Sequence, residues 1–310
     1  MEQKLFDIAD LFESRLRWWE AAVVRGADAF MCLPRPRPPR VTRELQTTAR
    51  KSNPFVFPYI TGETNPRWVY NSEGDVGVAK EDSAYSHDTL DDRTAAREKI
   101  VSDLARLAKV LVPPVQLWER KRARGRIEYF SVSCRFLADA RDCPPDDVLM
   151  NGNFLACAAI LDEWVHNGDR MPTSIIYGKV PYADAPEAAA DKTRKPQLLM
   201  FIDHGLSRLE GVADKAASLN WLCWNRKARE YTRKALGFSA ETKEAFTFSA
   251  AVEEVLGNIE HVGDRSISDI VTRLPDQLFM PGHGKQQMID GIKHSRDTVR
   301  TRVFNAFAVA

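Results

Sequence analysis

The sequence lacks the cysteine patterns that mark a disulfide framework or a structural zinc site. It has 5 cysteines in 310 residues, an odd number, and no Cys-x-x-Cys pair occurs among them. They are scattered along the chain, at Cys32, Cys134, Cys143, Cys157 and Cys223. We therefore expect reduced thiols, as is typical of a cytoplasmic protein.

Long apolar runs and an excess of charge of one sign are also missing. No apolar run is long enough to span a bilayer, and the first residues lack a signal-peptide pattern. The chain has 44 basic and 43 acidic residues, so its overall charge gives no reason to expect a nucleic-acid or membrane partner. We expect no membrane partner and a cytoplasmic location. At 310 residues the chain can bury a large core as one or two domains.

The beginning of the chain predicts a helix followed by a basic arm. Apolar residues recur at helical spacing from Leu5 to Phe30, which indicates an amphipathic helix. Prolines and arginines then alternate between Leu33 and Lys51, and proline favours an extended segment there. A stiff surface linker is the preferred interpretation, because no aromatic residues lie among the basic ones. A nucleic-acid partner bound through this arm is the alternative.

Two short polar motifs, each at the end of an apolar element, are the main functional signal. Asn-Gly-Asp-Arg at residues 167–170 follows an apolar helix, and Ile-Asp-His-Gly at residues 202–205 ends an apolar strand. Two acids at the ends of neighbouring elements suit phosphoryl transfer, in which one orients the attacking hydroxyl and the other holds magnesium. Each motif alone is also compatible with a solvated loop, since Asn-Gly and His-Gly favour turns.

Together and in this order, the motifs resemble the catalytic core of the HipA-like kinases and their relatives, the phosphatidylinositol kinases. The resemblance implies ATP as the phosphate donor and Mg²⁺ as its metal. It also implies that Asp169 positions the acceptor hydroxyl, that Asp203 binds the metal, and that Asn167 and Arg170 brace the loop.

Segments further upstream fit the same family. Two β-rich runs flank a turn at Glu73-Gly74, which is a hairpin pattern. By resemblance, the loop before the hairpin is a phosphate loop containing Thr61 and Gly62, and the second strand presents Lys80 to the phosphates. Glu98, on the next predicted helix, would then pair with Lys80. The alternatives are an edge-strand lysine in solvent and an ordinary first-turn acid.

Two departures from the family pattern keep a second interpretation open. Ser174 stands where the family has an asparagine that contacts the nucleotide and a second metal position, and Met171 replaces the family's histidine. A serine hydroxyl is a shorter and weaker ligand, so the alternative is a pseudokinase that binds nucleotide or a partner protein. We prefer an active kinase, because phosphoryl transfer depends chiefly on electrostatics and positioning. The expected acceptor is a Ser or Thr hydroxyl of a protein substrate or of the chain itself.

The order of these parts predicts an α+β, bilobal protein-kinase-like fold. It consists of an N-terminal helix and arm (1–52), a small β-rich N-lobe (53–140) and a mostly helical C-lobe (141–310). A hinge is expected near Phe136 to Ala140, and a long insertion at residues 181–196. The predicted C-terminal helices are Leu219–Leu236, Ala245–Ile259, Arg265–Leu274 and Lys285–Phe307.

Overall fold

The computed structural model describes residues 67–70, 76–81, 94–110, 112–121, 127–134, 138–142, 152–168, 170, 174–179, 197–202, 204–205, 207–210, 248, 250–279 and 284–308. Several predictions concern residues outside these ranges: the N-terminal helix, the basic arm, Thr61, Gly62, Asp169, Asp203, the insertion at 181–196 and the helix at 219–236. They stay predictions.

The first sheet has four antiparallel strands in the order β1-β2-β4-β3. They are β1 (Arg67–Tyr70), β2 (Val76–Glu81), β3 (Val115–Lys121) and β4 (Ile127–Cys134). β1 and β2 pair with Tyr70 opposite Val76, as expected for the predicted hairpin. On β4, Ser131 lies directly opposite Lys80 of β2. Residues opposite each other share a face of a sheet, so both side chains point to the same side.

Helix α1 (Thr94–Leu107) covers that side of the sheet. Its buried apolar stripe includes Ile100, Val101 and Leu104, spaced as one face of a helix requires. Ser102 ties the helix to the start of β3, because its Oγ donates to the Pro113 carbonyl at 2.9 Å and accepts from the Val115 amide at 3.1 Å. Apolar packing and these two hydrogen bonds of Ser102 therefore fix the helix on the sheet.

The second sheet has three antiparallel strands, β5 (Ala138–Asp142), β6 (Ile175–Lys179) and β7 (Gln197–Phe201), in the order β5-β6-β7. β6 and β7 pair with Ile175 opposite Phe201, so the start of β6 lies beside the end of β7. The last residues of the predicted hinge, from Ala138, belong to β5, which pairs with β6.

The described helices that follow are α2 (Gly152–Val165), α3 (Ala250–Glu260), α4 (Asp264–Thr272) and α5 (Gly284–Ala308), with a 3₁₀ turn at Asp276–Leu278. Residues 155–165 of α2 are buried except for the partly exposed Cys157, and α3 and α5 pack against the helix, as expected for a central helix. Helix α4 packs against both α5 and α1. Helices α4 and α5 lie close to their predicted bounds. Helix α3 ends close to its predicted end but begins at Ala250, after the predicted Ala245, and Phe248 is not helical.

The described residues form an α+β structure, as predicted. Among them, no helix combines the length and the apolar character needed to cross a membrane. The proposed division into ranges 1–52, 53–140 and 141–310 stays a prediction.

Candidate functional site

Lys80 and Glu98 form a buried ion pair between the first sheet and α1. Lys80 Nζ lies 2.6 Å from Glu98 Oε1, and the two side chains are 11% and 5% exposed. Ser131 Oγ donates to the other carboxylate oxygen, Oε2, at 3.2 Å. Both oxygens of Glu98 thus have a donor, which fixes the carboxylate and with it the lysine ammonium.

Sheet register and helix position explain this contact. Lys80 and Ser131 are opposite each other on β2 and β4, and their side chains point towards α1. Glu98 lies one turn into α1, on the face that meets the sheet. The sequence predicted Lys80 and Glu98 as partners but missed Ser131. The available signal was a small polar residue between two apolar ones, Phe130 and Val132, and its meaning depends on a register that the sequence does not state.

A second buried ion pair lies at the end of α2. Arg170 donates to both oxygens of Asp162, from Nε at 2.9 Å and from Nη2 at 2.7 Å, and both side chains have no exposed surface. Asn167 Nδ2 also donates to Asp162 Oδ1, at 3.1 Å. A fully buried, bidentate pair of this kind holds the loop that leaves α2 in one geometry. Asp162 accepts all three of these hydrogen bonds and so anchors the loop.

Arg170 also fixes the neighbouring ends of β6 and β7. Its Nη1 donates to the Ser174 carbonyl at 3.2 Å and to the Ile202 carbonyl. The Ile202 amide in turn donates to the Ser174 carbonyl at 3.0 Å. One guanidinium therefore joins the loop after α2 to the end of β7, so the two polar motifs of the sequence meet.

His204 completes this group, which we call the Arg170 cluster (Asp162, Asn167, Arg170 and His204). Arg170 Nη2 lies 3.2 Å and Asn167 Nδ2 3.4 Å from His204 Nδ1, while Nε2 lies 3.3 Å from the Phe201 carbonyl. We assign the proton to Nε2, because the two donors require Nδ1 to accept.

The electrostatics agree with a neutral His204. Burial lowers the pKa of His204 well below its usual value, and the positive charges of Arg170 and, more weakly, Lys80 lower it further. His204 Nδ1 lies 4.0 Å from Asp162 Oδ1, but a neutral ring forms no ion pair with the carboxylate. The effect of Lys80 also means that its ammonium lies within electrostatic range of the Arg170 cluster.

The segment after β7 packs directly on the first turns of α1. A Cβ added to Gly205 would lie 2.8 Å from Thr94 Cβ, so only glycine allows this approach. Arg97 Nη2 donates to Glu210 Oε1 at 2.8 Å, a second link between the same segment and helix. These contacts place the segment that follows His204 against the helix that carries Glu98.

The structure describes five of the nine predicted site residues, in two groups: Lys80 contacts Glu98, and Asn167, Arg170 and Ser174 belong to the network of Arg170. Thr61, Gly62, Asp169 and Asp203 lie outside the described residues, and the roles of all nine towards a nucleotide stay predictions. Ser174 is 2% exposed and contributes its carbonyl to the Arg170 network.

The predicted ATP and magnesium can be tested against the chemistry of these groups. A buried ammonium held by a carboxylate suits the phosphates of a nucleotide. A carboxylate such as Asp203 is the ligand type that magnesium prefers. Within the described residues, no cluster of three or more His, Cys, Asp or Glu side chains could hold a metal by itself.

The chain is similar in structure to known kinases. It matches the proinflammatory kinase CtkA of Helicobacter pylori with a TM-score of 0.50 and 12% identity, over 80% of this chain and 94% of that chain. It also matches WaaP, solved with acyl carrier protein (TM-score 0.30, 13% identity, 83% and 93% covered). A third match is Rio2 kinase of Chaetomium thermophilum, solved as an ADP/Mg²⁺-phosphoaspartate complex (TM-score 0.35, 13% identity, 82% and 75% covered).

The match to CtkA defines the class: the chain has a protein-kinase-like fold, as predicted. The other two TM-scores are too low to add to this assignment. No protein-family model and no curated protein sequence matches the chain. The more specific resemblance to HipA-like kinases therefore stays a prediction.

Proposed function

We propose that this protein is an ATP-dependent phosphotransferase of the HipA-like type, with a cleft between a smaller and a larger lobe. The observation that carries the proposal is the buried Lys80–Glu98 pair beside the Arg170 cluster, in a protein-kinase-like fold. In phosphoryl transfer the protein supplies mainly fixed charges and positioning. The polar groups described above are of this kind.

The proposed roles follow from the chemistry of each residue. Lys80 binds the nucleotide phosphates and Glu98 orients its ammonium, which lies 2.6 Å from the carboxylate. Thr61 and Gly62 belong to the phosphate loop, and Asp169 orients the acceptor hydroxyl. Asp169 is the residue next to Arg170, which supports a role at the same site.

Magnesium, when bound, would neutralise the charge on the phosphates. Asp203 would hold it, and its covalent neighbours Ile202 and His204 both contact Arg170. Asn167 and Arg170 brace the loop. We propose a Ser or Thr hydroxyl of a protein, or of the chain itself, as the acceptor, with the cytoplasm as the site of action.

One observation favours a second candidate, a pseudokinase that binds nucleotide without transfer. Ser174 is 2% exposed, and its carbonyl accepts hydrogen bonds from Arg170 and Ile202. So buried a residue is a poor second ligand for a metal that also binds phosphate. Asp203 would then be the main protein ligand, and affinity for magnesium would be weaker than with two ligands.

Incorporation of labelled phosphate from ATP, with magnesium present, tests the proposal. We expect transfer by the wild type and a decrease in kcat of about 10²- to 10³-fold in Lys80→Met, since one fixed charge on the phosphates is lost. Asp169→Ala and Asp203→Ala should abolish transfer.

Lys99→Met is the matched control. Lys99 is also a buried lysine of the α1 region with a carboxylate partner, Asp103 at 2.6 Å, but it takes no part in the site. Equal losses in Lys80→Met and Lys99→Met would contradict the proposed role of Lys80. Calorimetric binding of ATP without transfer, with magnesium or manganese, would establish the pseudokinase instead.

A further inference from the structure

A second buried polar cluster lies on the other side of α2, where α5 crosses it. We call it the Arg302 cluster, and it consists of Glu163, His166, Ser295 and Arg302. Glu163 and Ser295 have no exposed surface, and His166 is 6% exposed. None of these residues takes part in the chemistry proposed above. Burying charged groups is costly unless they are paired and hydrogen-bonded, so the partners of this cluster need an account.

Arg302 connects the members of this cluster. Its Nη1 donates to His166 Nε2 at 2.8 Å and to Ser295 Oγ at 3.0 Å, and its Nη2 donates to Glu163 Oε2 at 3.3 Å. Ser295 Oγ also donates to the Trp164 carbonyl near the end of α2. One side chain of α5 thus holds the last turn of α2 through three different groups.

His166 links the hydrogen bonds of Arg302 to the proposed catalytic loop. It is the first residue after α2 and immediately precedes Asn167, and its φ of 52° is in the left-handed region. Residues other than glycine are disfavoured there, so the surroundings must hold His166 in place. The described contacts that do so are the Arg302 bond to its side chain and the Arg208 amide, which donates to its carbonyl at 3.3 Å.

We propose that Arg302 is a positioning residue for phosphoryl transfer: through His166 it sets the direction in which residues 167–170 leave α2. This inference rests on the proposed function, because the loop it positions is the one assigned to transfer. The reaction itself needs no contact between Arg302 and the nucleotide or the acceptor.

The charge state of the ring is consistent with this role. Burial, together with the smaller effects of the charges of Arg302 and His294, lowers the pKa of His166 to about 4. At neutral pH the ring is therefore uncharged, and Nε2 can accept the Arg302 hydrogen bond.

Arg302→Gln, Arg302→Lys and the matched control Arg300→Gln test the proposal. Arg300 lies on the same helix and binds two acids, Glu253 at 2.8 Å and Glu260 at 2.8 Å, but it is 40% exposed and contacts nothing in α2 among its described partners. Each variant is compared with wild type for kcat, for the KM of ATP, and for hydrogen exchange in peptides that cover residues 166–170. Thermal unfolding checks that each variant is folded.

We expect Arg302→Gln to lower kcat by about 10- to 100-fold, the range for misplacement of a catalytic group by a distant change, with the KM of ATP within about 2-fold of wild type. Exchange in residues 166–170 should become faster. Arg302→Lys should recover part of the loss, because an ammonium retains the charge but not the forked geometry. Arg300→Gln should keep the wild-type kcat and loop exchange, even if its melting temperature falls as much as that of Arg302→Gln.

Wild-type kcat and loop exchange in Arg302→Gln would overturn the inference. Equal decreases in kcat for the Arg302 and Arg300 variants would overturn it as well, since they would indicate a general loss of stability. If the wild type itself transfers no phosphate, the proposed function fails. Exchange at residues 166–170 then decides the positioning role on its own.

Discussion

Asp162 and Glu163 are adjacent acids on α2, both without exposed surface, and their side chains lie on different faces of the helix. Asp162 pairs with Arg170, eight residues on, and Glu163 pairs with Arg302, 139 residues away. The first pair belongs to the site and the second lies behind it. Two neighbouring acids in an apolar helix therefore mark two separate polar clusters, each closed by its own arginine.

The two clusters differ in how deeply the arginine is buried and in how many hydrogen bonds join it to its acid. Arg170 has no exposed surface and binds Asp162 through two hydrogen bonds, whereas Arg302 is 22% exposed and binds Glu163 through one at 3.3 Å. The charge of Arg170 is therefore paired with Asp162 away from solvent, while that of Arg302 is partly solvated. The proposed site contains the more deeply buried of the two ion pairs.

The largest expected effect comes from removing one charge of the closed pair. Asp162→Asn removes the carboxylate charge that binds the buried guanidinium of Arg170 through two hydrogen bonds, which should lower the free energy of unfolding by about 3–5 kcal/mol. Glu163→Gln makes the same change one residue on. It should cost only about 1–2 kcal/mol, since Arg302 is partly exposed. Urea denaturation of both variants measures the difference.

A double variant is the control for this comparison. Asp162→Leu combined with Arg170→Met removes both charges, so it should be more stable than Asp162→Asn alone. It should nevertheless transfer no phosphate. Equal costs for Asp162→Asn and Glu163→Gln would mean that the clusters do not differ as their burial indicates.

A smaller effect is expected when the pH is lowered through the range in which His166 titrates. Its pKa falls from 6.5 to about 4 on folding, so between these values the unfolded chain binds a proton that the folded chain does not. The stability due to the neutral ring is thus complete above about pH 6.5 and is lost as the pH falls towards 4. Allowing for partial screening, we expect a loss of about 2 kcal/mol.

His166→Asn isolates this contribution, because asparagine tolerates the left-handed region and does not titrate. Urea denaturation at about pH 7 and about pH 4 should show a smaller decrease in the variant than in the wild type. Identical decreases would mean that His166 is not responsible. His204, whose pKa is also lowered, should contribute in the same direction in both proteins.

The smallest expected effect concerns the contact between the Arg170 side of the molecule and α1. Gly205→Ala would place a Cβ 2.8 Å from Thr94 Cβ, and the shift this forces should cost about 1–2 kcal/mol. Gly257→Ala is the matched control, since a Cβ there would meet nothing within 4 Å. Within α3 it should stabilise the protein by about 0.5–1 kcal/mol. Thermal unfolding of both variants measures these effects. A Gly205→Ala variant as stable as the wild type would contradict the prediction.

The sequence by itself determined the elements that depend on local patterns. Helical periodicity predicted α1, α2 and the three C-terminal helices, and the β-rich runs predicted the hairpin that carries Lys80. The two polar motifs marked Asn167, Arg170 and His204. This was possible because the residues that bind one another there lie within one short stretch of chain or at the neighbouring ends of β6 and β7.

Only the tertiary structure decided which distant side chains complete these groups. Ser131 reaches Glu98 because of the register between β2 and β4, and Arg302 reaches His166 because α5 crosses α2 at that point. The strength of a charged contact depends on separation in space and on burial. A separation of 136 residues along the chain leaves no local pattern from which such a contact can be predicted.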